Sequence, residues 1–452
     1  GAGPAGIRAA EILTTAGLRP TVVDEGARSG GQIYRRPPQG FKRAAEKLYG
    51  SEAAKAQALH ACFDRMLAAD KLDYCPESSV LAVAENGLQV LTPGGLLELP
   101  FDRLISATGA TERLAPVPGW ENAGVYGLGA MQIALKAQGV ALGRRIVLTG
   151  SGPLLTLVAT QLDAAGAEIA AVLDTSSLAT QLRGLPQMLA RPGLVARGMA
   201  MRAKLGRRYR AGVRLDRIET SSDGIEAISW THRGASHRTE CDAVGLGWHL
   251  RAETQLAGLA GAGFTYDQTF AQWLPKADAM GRAGERLYLA GDGLRIRGAD
   301  GAEVAGRLAA IACLEDMGGP APDARADVKR MRRLDRFAEG VARAFPWPTE
   351  MVRELADDAV VCRCENITAG ALREAVDTGG GEANRAKSLS RVGMGRCQGR
   401  YCQLAGAEIV AADRQAIAEI AVQRPLLIGV GELERGLDQA DDIIGIYWQD
   451  IV

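Results

Sequence analysis

The chain has 452 residues, 47% of them hydrophobic, which suffices for several packed cores and, at about 150 residues per domain, for about three domains. Lys plus Arg and Asp plus Glu both number 53, so the formal net charge is zero, which argues against bulk electrostatic binding to nucleic acid or anionic lipid. No apolar run approaches the roughly 18 residues that span a bilayer.

The chain opens on Gly1-Ala2-Gly3-Pro4-Ala5-Gly6, a Gly-x-Gly-x-x-Gly pattern. Its glycines permit a tight turn, close backbone approach to a pyrophosphate and close helix–strand packing. The anion would sit at a helix N-terminus, where free N–H groups and the dipole favour it. Such a turn normally follows a strand, so a first strand, and any targeting segment before it, are expected to precede Gly1. A helix is expected over residues 5–16 and a strand over 21–24, ending at Asp24-Glu25. Either acid is placed to hold ribose hydroxyls. Gly30-Gly31-Gln32 forms the next loop. Residues 40–76 read as helical and charged, and 78–108 as short strands.

Two apolar strands then end in turn residues: 104–107 in Ala107-Thr108-Gly109, and 287–290 in Gly291-Asp292-Gly293 before a further helix. Between them, a second strand–turn–helix–strand unit spans 146–174. Its Gly150-Ser151-Gly152 turn keeps two glycines but has Leu155 at the third position, and Asp174 ends the following strand. Asp174 without an adjacent Arg disfavours a 2′-phosphate. This unit reads as an NAD(P)-type fold. A working NADH site, an empty pocket and another nucleotide such as ATP all remain open for it.

Neither unit carries Cys-x-x-Cys, so a disulfide-reductase mechanism lacks its redox pair. His60, His232, His237 and His249 read as surface or structural, and no catalytic residue is assigned on the chain. Residues 195–245 read as strands with polar turns, and 317–350 as Pro- and Arg-rich linker.

Cys362-x-Cys364, 32 intervening residues, then Cys397-x4-Cys402 supply the four thiolates of a [2Fe–2S] centre, two per iron. An extended Cys362–Cys364 segment would point both sulfurs one way. Thr368 is expected to cap a helix through Val376, and another helix to start near Cys402. Arg363, Arg396 and Arg400 would offset a negative cluster. Tetrahedral zinc is the alternative occupant, although its four-cysteine sites usually show C-x2-C pairs.

The stretch from Lys387 to Cys402 resembles the bacterioferritin-associated-ferredoxin type of [2Fe–2S] module. Together with Gly30-Gly31-Gln32-Ile33-Tyr34-Arg35, Ala107 to Arg113 and Pro118-Gly119-Trp120, it makes the whole chain resemble the α (A) subunits of bacterial opine oxidases. The architecture is also similar to hydrogen cyanide synthase B subunits, hydroxyproline and proline dehydrogenase α subunits, and in part sarcosine oxidase α subunits.

The resemblance implies an α/β fold: two nested Rossmann-like dinucleotide-binding domains of glutathione-reductase type, plus a small α-helical C-terminal [2Fe–2S] domain. The implied division is 1–113 and 241–320 for the two parts of the FAD domain, 114–240 for the NAD(P)-like domain, 321–355 for a linker, 356–410 for the cluster domain and 411–452 for a tail. FAD, or ATP in its place, would lie on Gly1, Gly3, Pro4, Ala5, Gly6, Asp24, Glu25, Gly31, Gln32, Ala107, Thr108, Gly109, Gly291 and Asp292. NAD(H) would meet Gly150, Gly152 and Asp174.

The implied partners are an FAD-dependent amine-oxidase-type β subunit, a small third subunit, FMN at the subunit interface, and a quinone or cytochrome acceptor. The implied role is an electron relay in a dye-linked amine dehydrogenase located in the cytoplasm, with peripheral contact with the inner membrane as the variant. An NADH-dependent flavin reductase, a glycine-oxidising hydrogen cyanide synthase subunit and a mainly structural subunit are the rivals. Two departures stand out: Arg295 and Arg297 after Asp292, where relatives tend to have small residues, and the missing third glycine.

Overall fold

The structure is a computed structural model that describes residues 1–411, except 39, 42, 85, 86, 223 and 380–382. The expected tail lies, from residue 412 on, outside the described residues.

Gly3, in extended conformation, is the N-cap of the helix Pro4–Thr15, and Pro4 takes its first position, where no N–H is needed. The helix buries Ala5, Ile7, Ala9, Ala10, Ile12 and Leu13. It stops at Gly17 (φ +86°), with Leu18 N donating to Leu13 O and Gly17 N to Thr14 O, which is a Schellman ending. Two parallel strand pairs flank the opening turn: Thr21–Val23 with Asp73–Cys75, and Leu104–Ser106 with Leu287–Leu289. The helix Ala299–Asp316 packs across Pro4–Thr15 so closely that a Cβ on Gly306 would lie 2.0 Å from Ala5 O.

The second unit is a five-stranded, all-parallel sheet. Its order is Tyr209–Ala211, Glu168–Asp174, Arg145–Ser151, Ala243–Trp248, Val125–Gly127. Central strands such as Ala243–Trp248 are buried throughout, as a sheet covered on both faces requires. Antiparallel three-stranded meanders, Ser79–Pro100 and Arg214–Glu240, accompany the two units. A short ribbon of Ala110–Glu112 against Leu250–Ala252 carries the chain between them.

The stretch expected to be linker instead holds a 20-residue helix, Arg325–Ala344. Its buried Met331, Leu334, Ala338, Val341 and Ala342 recur at helical spacing. It lies on the helix Leu178–Met188 at a glycine–glycine crossing, where a Cβ on Gly184 would come 2.0 Å from Gly340 O. Part of the stretch expected as strand after residue 195 is likewise helical, within Pro192–Leu205.

The cysteine module follows as a small hairpin, Val360–Cys362 with Ile367–Thr368, and the helices Ala369–Asp377, Ala383–Ser390 and Gln403–Val410. Thr368 caps the first of these, its Oγ1 accepting from Ala371 N at 3.2 Å, as its hydroxyl next to an apolar run led one to expect. Among the described residues the module has no separate core. One buried cluster runs from Val125, Val147, Leu173 and Trp248 of the parallel sheet into Val361, Leu372, Cys402 and Ile409. Trp120, fully buried, donates its indole N–H to Val360 O at 2.6 Å and so pins the hairpin to the sheet.

Candidate functional site

Five segments of the first unit converge on the opening turn. A Cβ on Gly6 would strike Gly1 O at 1.7 Å, one on Gly1 would strike Ala107 O at 2.5 Å, and one on Gly31 (φ +62°) would meet Gly3 Cα at 2.9 Å. The glycines are therefore dictated by close backbone approach between three turns. Asp24 accepts from Ala2 N and, at 2.8 Å, from Gly26 N, so it braces the turn. Its neighbour Glu25 is exposed. Gln32 is also exposed and accepts from Arg35 at 2.8 Å.

Gly291 (φ +73°) lies against Ala5, and Gly293 against Thr108, whose Oγ1 donates to Glu253 O at 2.6 Å. Asp292 accepts through one oxygen from Arg297 N (2.7 Å) and Gly298 N (3.1 Å), which sets the entry to the helix Ala299–Asp316. Burial pushes its carboxyl above the usual range, against those two N–H bonds and the Arg297 charge. Each of the two unexpected arginines has a carboxylate partner: Arg297 pairs with Asp335, and Arg295 with Asp267.

The second turn has the same local logic but a different outcome. Gly150 (φ +132°) passes so near the next strand that a Cβ would lie 1.8 Å from Gly247 O, and Gly152 (φ +110°) opens the helix Pro153–Ala164. Leu155, in place of the third glycine, is fully buried between that helix and the sheet. Asp174 is also fully buried. One of its oxygens accepts from Ser151 Oγ (2.8 Å) and Ser176 N (2.9 Å), the other from Tyr209 Oη (2.7 Å) and Gln181 Nε2 (3.3 Å). Its burial raises its pKa despite these donors. Every lone pair that could meet a ribose hydroxyl is already engaged by protein.

The four C-terminal thiols form two neighbouring pairs, Cys362 with Cys402 and Cys364 with Cys397. The Cys402 S–H bond lowers Cys362 to a pKa of about 5, aided by backbone N–H groups of Gly393, Glu365 and Cys364 and opposed by burial. Cys402 is correspondingly raised. The strand ends at Cys362 and the chain turns through Asn366 (φ +52°), so the extended Cys362–Cys364 segment expected from spacing is absent. Cys362 is buried and Cys364 exposed. Glycines line the cradle: a Cβ on Gly395 would lie 2.3 Å from Cys364 Cβ, and one on Gly393 3.9 Å from Cys402 Sγ. Among the described residues, no three His, Cys, Asp or Glu side chains gather around one point suited to a single ion.

The loop between Cys397 and Cys402 leans on the ribbon that joins the two units. Arg400 O accepts from Arg251 at 2.8 Å, and the Arg400 guanidinium donates to Gln255 at 3.2 Å. Glu253, between those two residues, donates its N–H to Gly109 O at 3.0 Å and accepts from Thr108. The thiol loop and the Ala107-Thr108-Gly109 end of the first site are thus two hydrogen-bonded steps apart.

A family model described as pyridine nucleotide-disulphide oxidoreductase matches residues 1–307. The chain belongs to this family. It is 36% identical over 436 residues to the opine oxidase A subunit from Rhizobium meliloti, covering 92% of this chain and 81% of the relative. To hydrogen cyanide synthase subunit HcnB of Pseudomonas aeruginosa it is 31% identical, covering 89% of each. The solved L-proline dehydrogenase from P. horikoshii shares the fold, with a TM-score of 0.66 and 19% identity over 93% of this chain and 74% of that one.

As a member of the pyridine nucleotide-disulphide oxidoreductase family, the chain is a flavoprotein oxidoreductase with Rossmann-type folds. Cys62, Cys75, Cys241 and Cys313 are free thiols in separate segments. No described helix is long and apolar enough to cross a membrane. Of the residues expected to bind cofactor, those of the first unit come together around one turn, with Glu25 and Gln32 at its exposed rim. Sequence reading passed over Gly306, which lets two helices touch behind that turn. It also passed over the Arg251–Arg400 contact, which no local pattern announces.

Proposed function

We propose that this chain is the electron-transfer subunit of a heteromeric amine dehydrogenase. FAD occupies the first site, ATP being the rival occupant there, and a [2Fe–2S] cluster is held by Cys362, Cys364, Cys397 and Cys402. A flavin supplies the step between two-electron and one-electron transfer. The chain's own residues supply the rest. The Gly1–Gly6 turn and its helix N-terminus receive the pyrophosphate, and Asp24 and Asp292 fix the backbone around it. Four thiols offer two ligands to each of two irons, and their C-x-C and C-x4-C spacing differs from the C-x2-C pairs usual in four-cysteine zinc sites.

The observation that supports the reading is the seat of the thiol loop on the ribbon flanking Thr108 and Gly109, next to one end of the first turn. The relatives named as opine oxidase and hydrogen cyanide synthase subunits support a partner subunit; in this reading the partner oxidises a C–H next to an amine nitrogen and FMN lies between the subunits. A small third subunit and a quinone or cytochrome acceptor complete the proposed complex, in the cytoplasm or on the inner face of its membrane. The reading as an NADH-dependent reductase is weakened by Asp174, whose oxygens are all engaged.

The test is anaerobic reduction of the chain with and without its partner. Opine- or proline-type substrate should bleach the cluster absorbance only when the partner is present, and NADH should leave it oxidised. Substrate bleaching the isolated chain, or fast reduction by NADH, would overturn the reading.

A further inference from the structure

The two thiol pairs are not equivalent. Cys362 and Cys402 are buried, whereas Cys364 is exposed and Cys397 partly so. Around Cys364 the surface departs from an ordinary solvated face. Arg363 and Arg396 are exposed, and among the described residues neither has a carboxylate within ion-pair distance. Arg363 lies over the Trp120 ring at 5.1 Å and reaches only the Glu121 carbonyl, at 3.4 Å. The nearest acid on this loop, Glu365, is already neutralised by Arg391 at 2.8 Å. Met394, 41% exposed, stands two residues from Arg396, and the following Gly395 packs directly on Cys364. In a chain of zero net charge, two exposed cations with no carboxylate partner among the described residues, beside an exposed apolar side chain and an exposed thiol, form a local feature.

Resting on the cluster reading above, we propose that electrons leave the chain at the Cys364–Cys397 edge. There, the surface of Arg363, Met394 and Arg396 docks a one-electron carrier protein through an acidic face with an apolar centre. Entry and exit are then separated. The Arg400 side of the loop faces the flavin site, and the Cys364 side faces outward. Each transfer moves one electron from the reduced cluster to the carrier, makes or breaks no covalent bond and moves no proton at this edge. Two such transfers discharge one two-electron substrate oxidation. Small, charge-steered, weakly apolar contacts are what transient electron-transfer encounters use.

Two small oxidants of opposite charge test the surface: ferricyanide, an anion, and tris(phenanthroline)cobalt(III), a cation. The full chain is reduced with dithionite, freed of excess reductant and mixed in a stopped-flow instrument at low salt, with reoxidation followed at the cluster absorbance. Reversing both charges (R363E with R396E) should slow ferricyanide by about tenfold and speed the cobalt complex, with each rate referred to the iron-loaded fraction of its preparation. Added salt should shrink both effects. Arg325→Glu, at an exposed helix start elsewhere, should do neither. Rates that ignore the Arg363 and Arg396 reversals while the cluster is intact, or that respond equally to R325E, would overturn the proposal alone. A wild-type chain holding zinc or no iron would overturn the cluster reading and this proposal with it.

Discussion

Asp174 and Asp292 look alike in sequence, each an acid closing an apolar strand, yet they sit in opposite circumstances. Asp292 uses one oxygen on two backbone N–H groups, while both oxygens of Asp174 are taken by four donors. No motif distinguishes them, because Ser151, Gln181 and Tyr209 reach Asp174 from three different elements. We expect Asp174→Asn to destabilise the fold by about 1–3 kcal/mol in urea titrations, since the new amide N–H2 group faces donors. Flavin content should be unchanged.

His249 gives a pH test at the same scale. Its Nδ1 accepts from Leu250 N at 2.7 Å, it is held at φ +67°, and burial followed by the nearby Arg113 charge lowers its pKa from 6.5 to about 4. The unfolded chain therefore binds a proton between pH 6.5 and about 4 that the folded chain refuses. Stability should fall as pH drops through that window, by about 1–3 kcal/mol from this group. His249→Asn tolerates the left-handed backbone and does not titrate. Thermal midpoints across the window should show a shallower acid loss in the variant than in wild type.

At the scale of elements, the sequence disclosed most of the architecture where period and punctuation agreed. The first helix, the two parallel units and the capped helix after Thr368 were all legible. The helix Arg325–Ala344 was not, because its Arg content and flanking prolines resemble a linker. Its apolar positions carry the helical period, and that period, rather than composition, is the reliable signal. Close helix crossings were illegible for a different reason: a glycine needed for contact with a distant backbone looks like any other. Gly306 is the sharpest case. Gly306→Leu should separate Ala299–Asp316 from Pro4–Thr15, cost about 1–3 kcal/mol or more, and loosen the Gly1–Gly6 turn at the start of that helix. The measurement is the fraction of flavin retained after gel filtration beside the urea midpoint. Lost stability with full flavin retention would contradict the link between this crossing and the first site.

At the scale of the whole molecule, the cysteine module and the second parallel sheet share one core, so the second dinucleotide fold acts as a platform for the thiol loop. This explains how a unit can keep its Rossmann topology while spending its acid internally. Trp120 is the joint. Trp120→Phe removes the N–H bond to Val360 O and should cost about 1–2 kcal/mol. It should also separate the loss of cluster colour from global unfolding during a denaturant titration, where wild type loses both together. That Cys362, Cys364, Cys397 and Cys402 belong to one module was legible from their spacing. Their seat beside Thr108 and Gly109 was not, because it depends on the Arg251–Arg400 and Glu253–Gly109 bonds between segments far apart in the chain.

The most direct test of the relay is the metal, sulfide and electron paramagnetic resonance signature of the purified chain, taken with its extracted flavin. About two irons and two acid-labile sulfides per chain are expected with FAD, together with a half-integer-spin signal on dithionite reduction. One zinc per chain, with no sulfide and no signal on reduction, would contradict the relay.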